Sequence, residues 1–296
     1  MRLLKEKIAK LLLTSCAILA ASVIFGILAI LLFYGGRAFA EINPLRFVFG
    51  KVWNPDAYSE PKYGIIPLAV GSLLTTLIAL AIAMPTGIAS ALFISEKLEG
   101  KPRMFVKTMV EILAGVPSVV IGFFGLAVIS LVITKVFRVY SGLNLLNGGV
   151  LLGVMALPTI ISISEDAIRA VPSSYREAAL ALGSHSWQAA TRVTLPAAKP
   201  GITAALMLGF GRAIGETMAV LMVAGNAPII PEGWRFLFEP IRTVTTTIAI
   251  ELGEVPFGTS HFYSLFALGL LLFFIALATN LLAESMLKRE KGRFQI

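Results

Sequence analysis

Six long apolar segments, separated by shorter polar ones, set the pattern of this chain. Each has about 20 residues or more, which is the length that a helix needs to cross the hydrocarbon core of a bilayer. The segments are residues 11–34, 64–94, 108–134, 143–164, 200–224 and 264–287. Pro85 is expected to kink the second segment and Pro158 to break the fourth, because proline has no amide hydrogen to donate. The pattern predicts an all-α integral membrane protein with six transmembrane helices.

The polar connections suggest how the chain is divided. Residues 1–63 are predicted to form a first transmembrane helix and an external loop, residues 64–287 the main transmembrane domain, and residues 288–296 a basic tail. The first apolar segment is longer than the ~7–15-residue core of a signal peptide, so we expect it to be retained. Residues 243–252 are too few to span a bilayer and are predicted to form an interfacial or re-entrant helix on the outside.

Composition and charge agree with a membrane protein. Hydrophobic residues make up 57% of the chain and charged residues 14%, against about 25% charged in soluble domains. Lys and Arg are more numerous at both termini and in residues 95–107 and 165–199 than in the alternate connections. Basic residues collect in cytoplasmic loops, so this bias predicts that both termini are cytoplasmic. It also explains the net charge of +8 without a nucleic-acid partner.

Residues suited to metal or thiol chemistry are scarce. The chain has one cysteine, Cys16, and two histidines, His185 and His261, which the predicted topology puts on opposite sides of the membrane. An intrachain disulfide and a histidine-pair metal site are therefore excluded, and no metal, cofactor or catalytic residue is predicted. The apolar segments also lack H-E-x-x-H, Ser–His and paired-aspartate arrangements, which disfavours an intramembrane enzyme.

The fifth apolar segment carries two charges where charge is expensive. Arg212 lies at the midpoint of residues 200–224, roughly 18 Å from either end of a continuous helix. A charge at this depth costs on the order of 2.5–3.5 kcal/mol, so a functional role is the first hypothesis. Glu216 follows at i+4, on the same face of such a helix, where it can pair with Arg212. The alternatives are a purely structural ion pair, beside close packing at Gly211 and Gly215, or a proton relay.

The connection at residues 165–199 contains a second candidate feature. Ser174 and Glu177 have the spacing of a capping box, strong helix formers follow, and Gly183 is a natural C-terminal stop. The pattern predicts a short cytoplasmic helix with small residues on its surface. From the residues alone, a plain connecting helix and a docking helix are equally good interpretations.

A motif in this connection resembles the EAA motif of ABC importer permeases. The match consists of Glu177-Ala178-Ala179, then Gly183, then Val193-Thr194-Leu195-Pro196. The family has Ile where this chain has Val193. The resemblance implies the type I importer permease fold, and a short helix that docks on a separate ATP-hydrolysing subunit. The residues to which it assigns this coupling role are Glu177, Ala178, Ala179, Gly183, Leu195 and Pro196.

Three further stretches narrow the resemblance within that family. Residues 157–167, 213–220 and 222–226 are similar to the phosphate importer permeases of the Pst system, and to their C-type more than their A-type subunit. This implies a permease in the inner membrane of a prokaryote that hydrolyses no ATP itself. The implied partners are an A-type permease, two copies of an ATPase and an extracytoplasmic phosphate-binding protein.

The chemistry of Arg212 suits that substrate. Its guanidinium stays charged when buried, and its planar set of donors matches the oxygens of phosphate. Glu216 would accept a hydrogen bond from a protonated phosphate oxygen, which fully ionised sulfate cannot offer. Arg212 and Glu216 are therefore predicted to line the substrate path. The alternative functions are an ABC permease for sulfate or molybdate, and an ion-gradient-driven transporter.

Overall fold

The computed structural model describes residues 2–58 and 60–293, with side chains for residues 6–58 and 60–285. The fold is almost entirely helical. The helices are α1 (Arg2–Glu41), α2 (Pro44–Phe49), α3 (Ile66–Lys97), α4 (Gly100–Ala114), α5 (Ser118–Phe124), α6 (Ser130–Phe137), α7 (Leu145–Ala170), α8 (Ser173–Ala181), α9 (Ser186–Ala189), α10 (Leu195–Ala197), α11 (Lys199–Gly215), α12 (Met218–Val223), α13 (Val244–Glu251) and α14 (Ser260–Arg293). Single π-helical segments join α5 to α6 (Gly125–Ile129) and α9 to α10 (Ala190–Thr194). A short antiparallel hairpin, β1 (Trp53–Asn54) with β2 (Lys62–Tyr63), precedes α3.

Within the described residues, five helices are long and apolar enough to cross a membrane. They are Glu6–Glu41, Ile66–Lys97, Ser118–Phe137, Leu145–Ala170 and Ser260–Ser285. A sixth span is formed if the bent pair Ser186–Ala197 and Lys199–Gly215, which meet at 68°, counts as one. The prediction of a multi-spanning helical protein is confirmed, and the short helix predicted at residues 243–252 is α13.

Three predicted segments differ in detail. The helix predicted over 108–134 is wrong as one unit, because Pro117 adopts an extended conformation and separates α4 from α5. The predicted break at Pro158 is also wrong, since α7 continues through it to Ala170. Neighbouring helices can satisfy the carbonyl that an interior proline leaves free. The single helix predicted over 200–224 ends instead at Gly215, where Glu216 turns extended (φ −70°, ψ 129°).

The core is built around α3 and α7. Small residues let the two helices approach closely: a Cβ at Gly149 would lie 2.4 Å from the side chain of Ile78, and Ala79 and Ala83 are fully buried. A side chain at Gly149 would therefore force α7 away from α3. α11 packs against α7 and α14, so the helix that carries Arg212 is held by the core on two sides.

A candidate anion path and coupling surface

Arg212 lies in the last turn of α11 and reaches across to α7. Its Nη1 donates to the hydroxyl of Thr159 at 3.5 Å, and the side chain is otherwise exposed. Thr159 is near the middle of α7, roughly 17–21 Å from the two helix ends. Arg212 is therefore level with the middle of a span, as predicted, although its own helix ends one turn later.

Glu216 does not share a helical face with Arg212, so that part of the prediction is wrong. The chain leaves the helix at Glu216, and no ion pair joins the two residues in the part of the chain that the structure describes. The Glu216 carboxylate instead accepts from the amide of Ala219 at 3.4 Å, near the start of α12. Its carbonyl accepts from the Thr245 hydroxyl at 3.0 Å, which connects the break to α13. Glu216 thus serves the local structure of the break.

Close packing beside Arg212 depends on a different glycine from the predicted ones. A Cβ at Gly209 would meet Ile160 of α7 at 2.8 Å, whereas one at Gly211 would lie 3.3 Å from Thr279 and one at Gly215 would meet nothing within 4 Å. Gly209 therefore sets the approach of α11 to α7, one turn before Arg212. The predicted Gly211–Gly215 packing pair is wrong at Gly215.

The predicted coupling helix is α8, and most of its residues are exposed. None of its residues is buried, and Leu182, which follows it, is 90% exposed. Gly183 ends the helix at φ +84°, with its amide bonded to the carbonyl of Leu180 and the amide of Ser184 to that of Ala179. These are the two bonds of a Schellman motif, so the predicted stop is confirmed. The predicted capping box is wrong, because Pro172 is the N-cap and Ser174 lies inside the helix.

The remaining EAA residues connect this surface to the helix of Arg212. Glu177 and Ala178 face solvent, and Ala179 is half-buried. Leu195 packs against the cluster that contains Leu92 and Ile168, while Pro196 is exposed. Two residues later the chain bends by 68° into α11. A movement of α8 would therefore reach Arg212 through the turn at Gly183, the helical segment Ser186–Ala197, the bend and α11.

A buried carboxylate near the end of α7, Glu165, was missed by the sequence reasoning as a site. Its side chain is 1% exposed and accepts from Arg103 Nε at 3.0 Å and Lys107 Nζ at 2.9 Å. Lys107 also bonds to the exposed Asp166 at 2.7 Å. Burial lowers the pKa of Lys107, but the hydrogen bonds to Asp166 and Glu165 outweigh that effect and hold the pKa above its ordinary value. The signal was the presence of two carboxylates at the end of an apolar segment.

A partly buried carboxylate, Glu251, ends α13 and was also missed. Three donors converge on it: Arg242 Nη1 at 2.7 Å, His261 Nε2 at 2.8 Å and Trp53 Nε1 at 3.1 Å. Its side chain is 12% exposed. The cluster ties the β1–β2 hairpin to α13 and α14. Nothing in the sequence signals a contact between residues so far apart.

Across the described side chains, no group of three or more His, Cys, Asp or Glu residues is arranged to hold a metal ion. Among the charged residues described above, Glu165 and Glu251 each accept from several donors, whereas Arg212 donates to a hydroxyl at mid-span.

Comparison with known proteins identifies the family. A family model described as the binding-protein-dependent transport system inner membrane component matches residues 83–291. The chain belongs to this family. Because such a component is the permease of an ABC transporter, membership implies that this permease works with an ATPase and a second permease.

Curated relatives resemble the permease over nearly its whole length. It is 37% identical to the probable ABC transporter permease protein YqgH of Bacillus subtilis (strain 168), over 98% of this chain and 93% of that protein. It is 36% identical to the phosphate transport system permease protein PstC of Mesorhizobium japonicum, over 95% and 89% of the two chains. PstC 1 of Mycobacterium tuberculosis is also 36% identical, over 84% of this chain and 83% of that one.

Solved structures share the fold of this permease. One is an inward-facing MetNI methionine ABC transporter, with a TM-score of 0.52 over 75% of this chain and 94% of the other. Another is an amino acid ABC transporter crystallised with histidines, with a TM-score of 0.51 over 76% and 93%. Both are 19% identical, so they show the fold alone. The predicted importer permease fold is confirmed.

Proposed function

We propose that this permease is a subunit of an ATP-driven importer of inorganic phosphate. The observation that carries the proposal is the guanidinium of Arg212, which lies at mid-span beside a hydroxyl and forms no ion pair with any carboxylate of the described residues. A phosphate anion crossing a low-dielectric region needs a compensating cation, and Arg offers one whose donors match phosphate oxygens. The PstC relatives, which are named as phosphate permeases, support the choice of anion.

The exposure of Arg212 supports a place on the path. A charged group at this depth is not turned towards lipid, but towards water or protein. The exposed side of Arg212 and Thr159 is therefore the side that meets the second, A-type permease, with the path between the two subunits. Glu216 flanks this path from the break after α11 and holds the break through its contact with Thr245.

The exposed helix α8 supports a coupling role. Tyr175 and Leu180 are 46% and 41% exposed, which gives α8 apolar contacts to offer to a docking partner. We assign to this surface one copy of an ATPase, with a second copy on the A-type permease. The permease itself then hydrolyses no ATP. The Lys and Arg bias supports cytoplasmic termini in a prokaryotic inner membrane, with the phosphate-binding protein on the other side.

Transport by the reconstituted complex tests this function. The permease is co-purified with its ATPase and A-type partner, placed in proteoliposomes, and supplied with the cognate binding protein and radiolabelled phosphate. Uptake should require ATP, survive collapse of ion gradients, and resist competition by sulfate or molybdate. Uptake driven by an ion gradient without ATP would contradict the proposal. Transport of sulfate or molybdate in place of phosphate would show that the substrate is another oxyanion.

A further inference from the structure

Thr159 differs from other threonines in the helices of this permease. The usual arrangement here is a hydroxyl that donates to the carbonyl four residues earlier. It is adopted by Thr75, Thr76, Thr86, Thr134 and Thr203. The Thr159 hydroxyl accepts from Arg212 instead, and no acceptor for its proton is found among the described residues. A hydroxyl has one proton to donate, and this one remains available.

Thr159 lies where one face of α7 changes from buried to exposed. Towards the start of the helix, Leu152, Met155 and Ala156 are buried. Thr159 is half-buried, and Asp166, two turns further on the same face, is 66% exposed. Residues spaced by seven lie on one face of a helix. The face is therefore closed in its first half and uncovered from Thr159 to the end that bears Asp166.

We propose that the Thr159 hydroxyl is a second ligand of the transported anion, beside Arg212. The inference rests on the proposed function and adds a specific ligand to its path. Arg212 supplies charge and several donors, and Thr159 donates its free proton to another oxygen of the same phosphate. Hydrogen bonds to charged acceptors are stronger than those between neutral groups. The pair would hold phosphate where the closed half of the α7 face gives way to the open half.

Loss of such a ligand should change the maximal rate of uptake and not the apparent KM. The external binding protein captures phosphate first, so it sets the concentration at which uptake is half-maximal. Thr159 meets the anion only after release into the membrane, so its loss lowers the maximal rate of uptake and leaves the apparent KM unchanged. A structural defect in the membrane domain would lower the maximal rate in the same way, so the rate is compared per assembled complex, and Thr159→Ser separates loss of the hydroxyl from loss of packing.

The test compares four variants in the proteoliposome assay. Thr159→Val keeps the shape and removes the hydroxyl, Thr159→Ala removes it in a second way, and Thr159→Ser restores it. Thr203→Val is the matched control, because that hydroxyl is already bonded to the carbonyl of Lys199 at 2.8 Å. ATPase co-purification reports assembly of each complex.

The expected result is a maximal rate about tenfold lower or more for both hydroxyl-free variants. Their apparent KM should stay within about twofold, as expected when the binding protein is intact. Thr159→Ser should recover most of the rate, and Thr203→Val should match wild type. A wild-type rate in assembled Thr159→Val or Thr159→Ala, or an equal loss in Thr159→Ser, would overturn the role of Thr159 while phosphate uptake by wild type upholds the function. Failure of wild type itself to take up phosphate with ATP would overturn the proposed function, and this inference with it.

Discussion

Glu165 and Arg212 are both charged residues of the membrane domain, but their surroundings differ. Glu165 is 1% exposed and is bonded to both Arg103 and Lys107 near the end of α7. Arg212 is exposed at mid-span, and among the described residues its side chain has one hydrogen-bond partner, the Thr159 hydroxyl at 3.5 Å. Glu251, on α13, resembles Glu165, with three donors on one carboxylate. The carboxylates are complete within the chain, whereas the guanidinium retains unused donors.

The contrast distinguishes charged groups that stabilise the fold, such as Glu165, from a charged group that is available to bind a ligand, Arg212. Removing one partner from a buried, fully bonded cluster leaves the others uncompensated, which costs stability. Removing a charge with no ionic partner leaves nothing uncompensated in the empty protein. Clusters at the span ends should therefore affect unfolding, and Arg212 should affect transport.

The largest loss of stability is expected for Glu165→Ala. It leaves Arg103 and Lys107 without their shared buried partner, which should lower the free energy of unfolding by about 3 kcal/mol. Denaturant unfolding in mixed micelles measures it. Asp166→Asn is the matched control, because Asp166 is 66% exposed and bonded to Lys107 alone. Equal free energies of unfolding for the Glu165 and Asp166 variants would show that the buried Glu165 does not stabilise the fold more than the exposed Asp166 does.

A smaller loss is expected for Glu251→Ala. The change removes the common acceptor of Trp53, Arg242 and His261, and should cost about 2 kcal/mol on the same measurement. Glu254→Ala, an exposed carboxylate three residues later, should change stability by less than about 0.5 kcal/mol. If Glu254→Ala lowered the free energy of unfolding as much as Glu251→Ala does, the three donors that converge on Glu251 would not explain the stability of this region.

A substitution without charge tests the coupling surface. Gly183→Ala places a side chain at φ +84°, which should cost about 1–2 kcal/mol in the turn after α8. A Cβ there meets nothing within 4 Å, so the effect is confined to the backbone. Co-purified ATPase should fall. Gly253→Ala, equally open and without a positive φ, should retain the ATPase. Retention by both variants would remove the reason for assigning the docking surface to this turn.

The smallest effect on stability is expected for Arg212→Gln. Because Arg212 has no carboxylate partner among the described residues, its loss should leave the unfolding transition where it is in wild type. A loss comparable to that of Glu165→Ala would show that Arg212 belongs with the structural charges.

Much of this architecture follows from local sequence, and the remaining features depend on contacts between residues that are distant in the sequence. The lengths of the apolar segments determine the number of spans and the mid-span position of Arg212. The end of α8 follows from the glycine at position 183. The break after Gly215 does not, because residues 200–224 are apolar throughout apart from the charged pair. A contact from Thr245, on the distant α13, holds the extended Glu216. Residues four apart share a face only within a continuous helix. Because α11 ends before Glu216, the expected ion pair between Arg212 and Glu216 does not form.

The buried clusters escaped prediction for a related reason. Trp53 and Glu251 lie far apart in sequence, and no periodic pattern connects a hairpin to the end of a short helix. In α7, the proline at 158 suggested a break, but packing against α3 keeps the helix continuous. Sequence patterns located Arg212 and Glu216 but not the clusters around Glu165 and Glu251, and only the folded chain separated these bonded carboxylates from Arg212.

ATP-driven phosphate uptake by the Arg212→Gln complex tests the central claim most directly. The complex is purified with its ATPase and second permease, matched to wild type in unfolding transition, and reconstituted beside Arg235→Gln, which removes an exposed arginine outside the spans. We predict that Arg212→Gln reduces uptake to the level of empty vesicles, while Arg235→Gln transports like wild type. Wild-type uptake by an assembled Arg212→Gln complex would contradict the account.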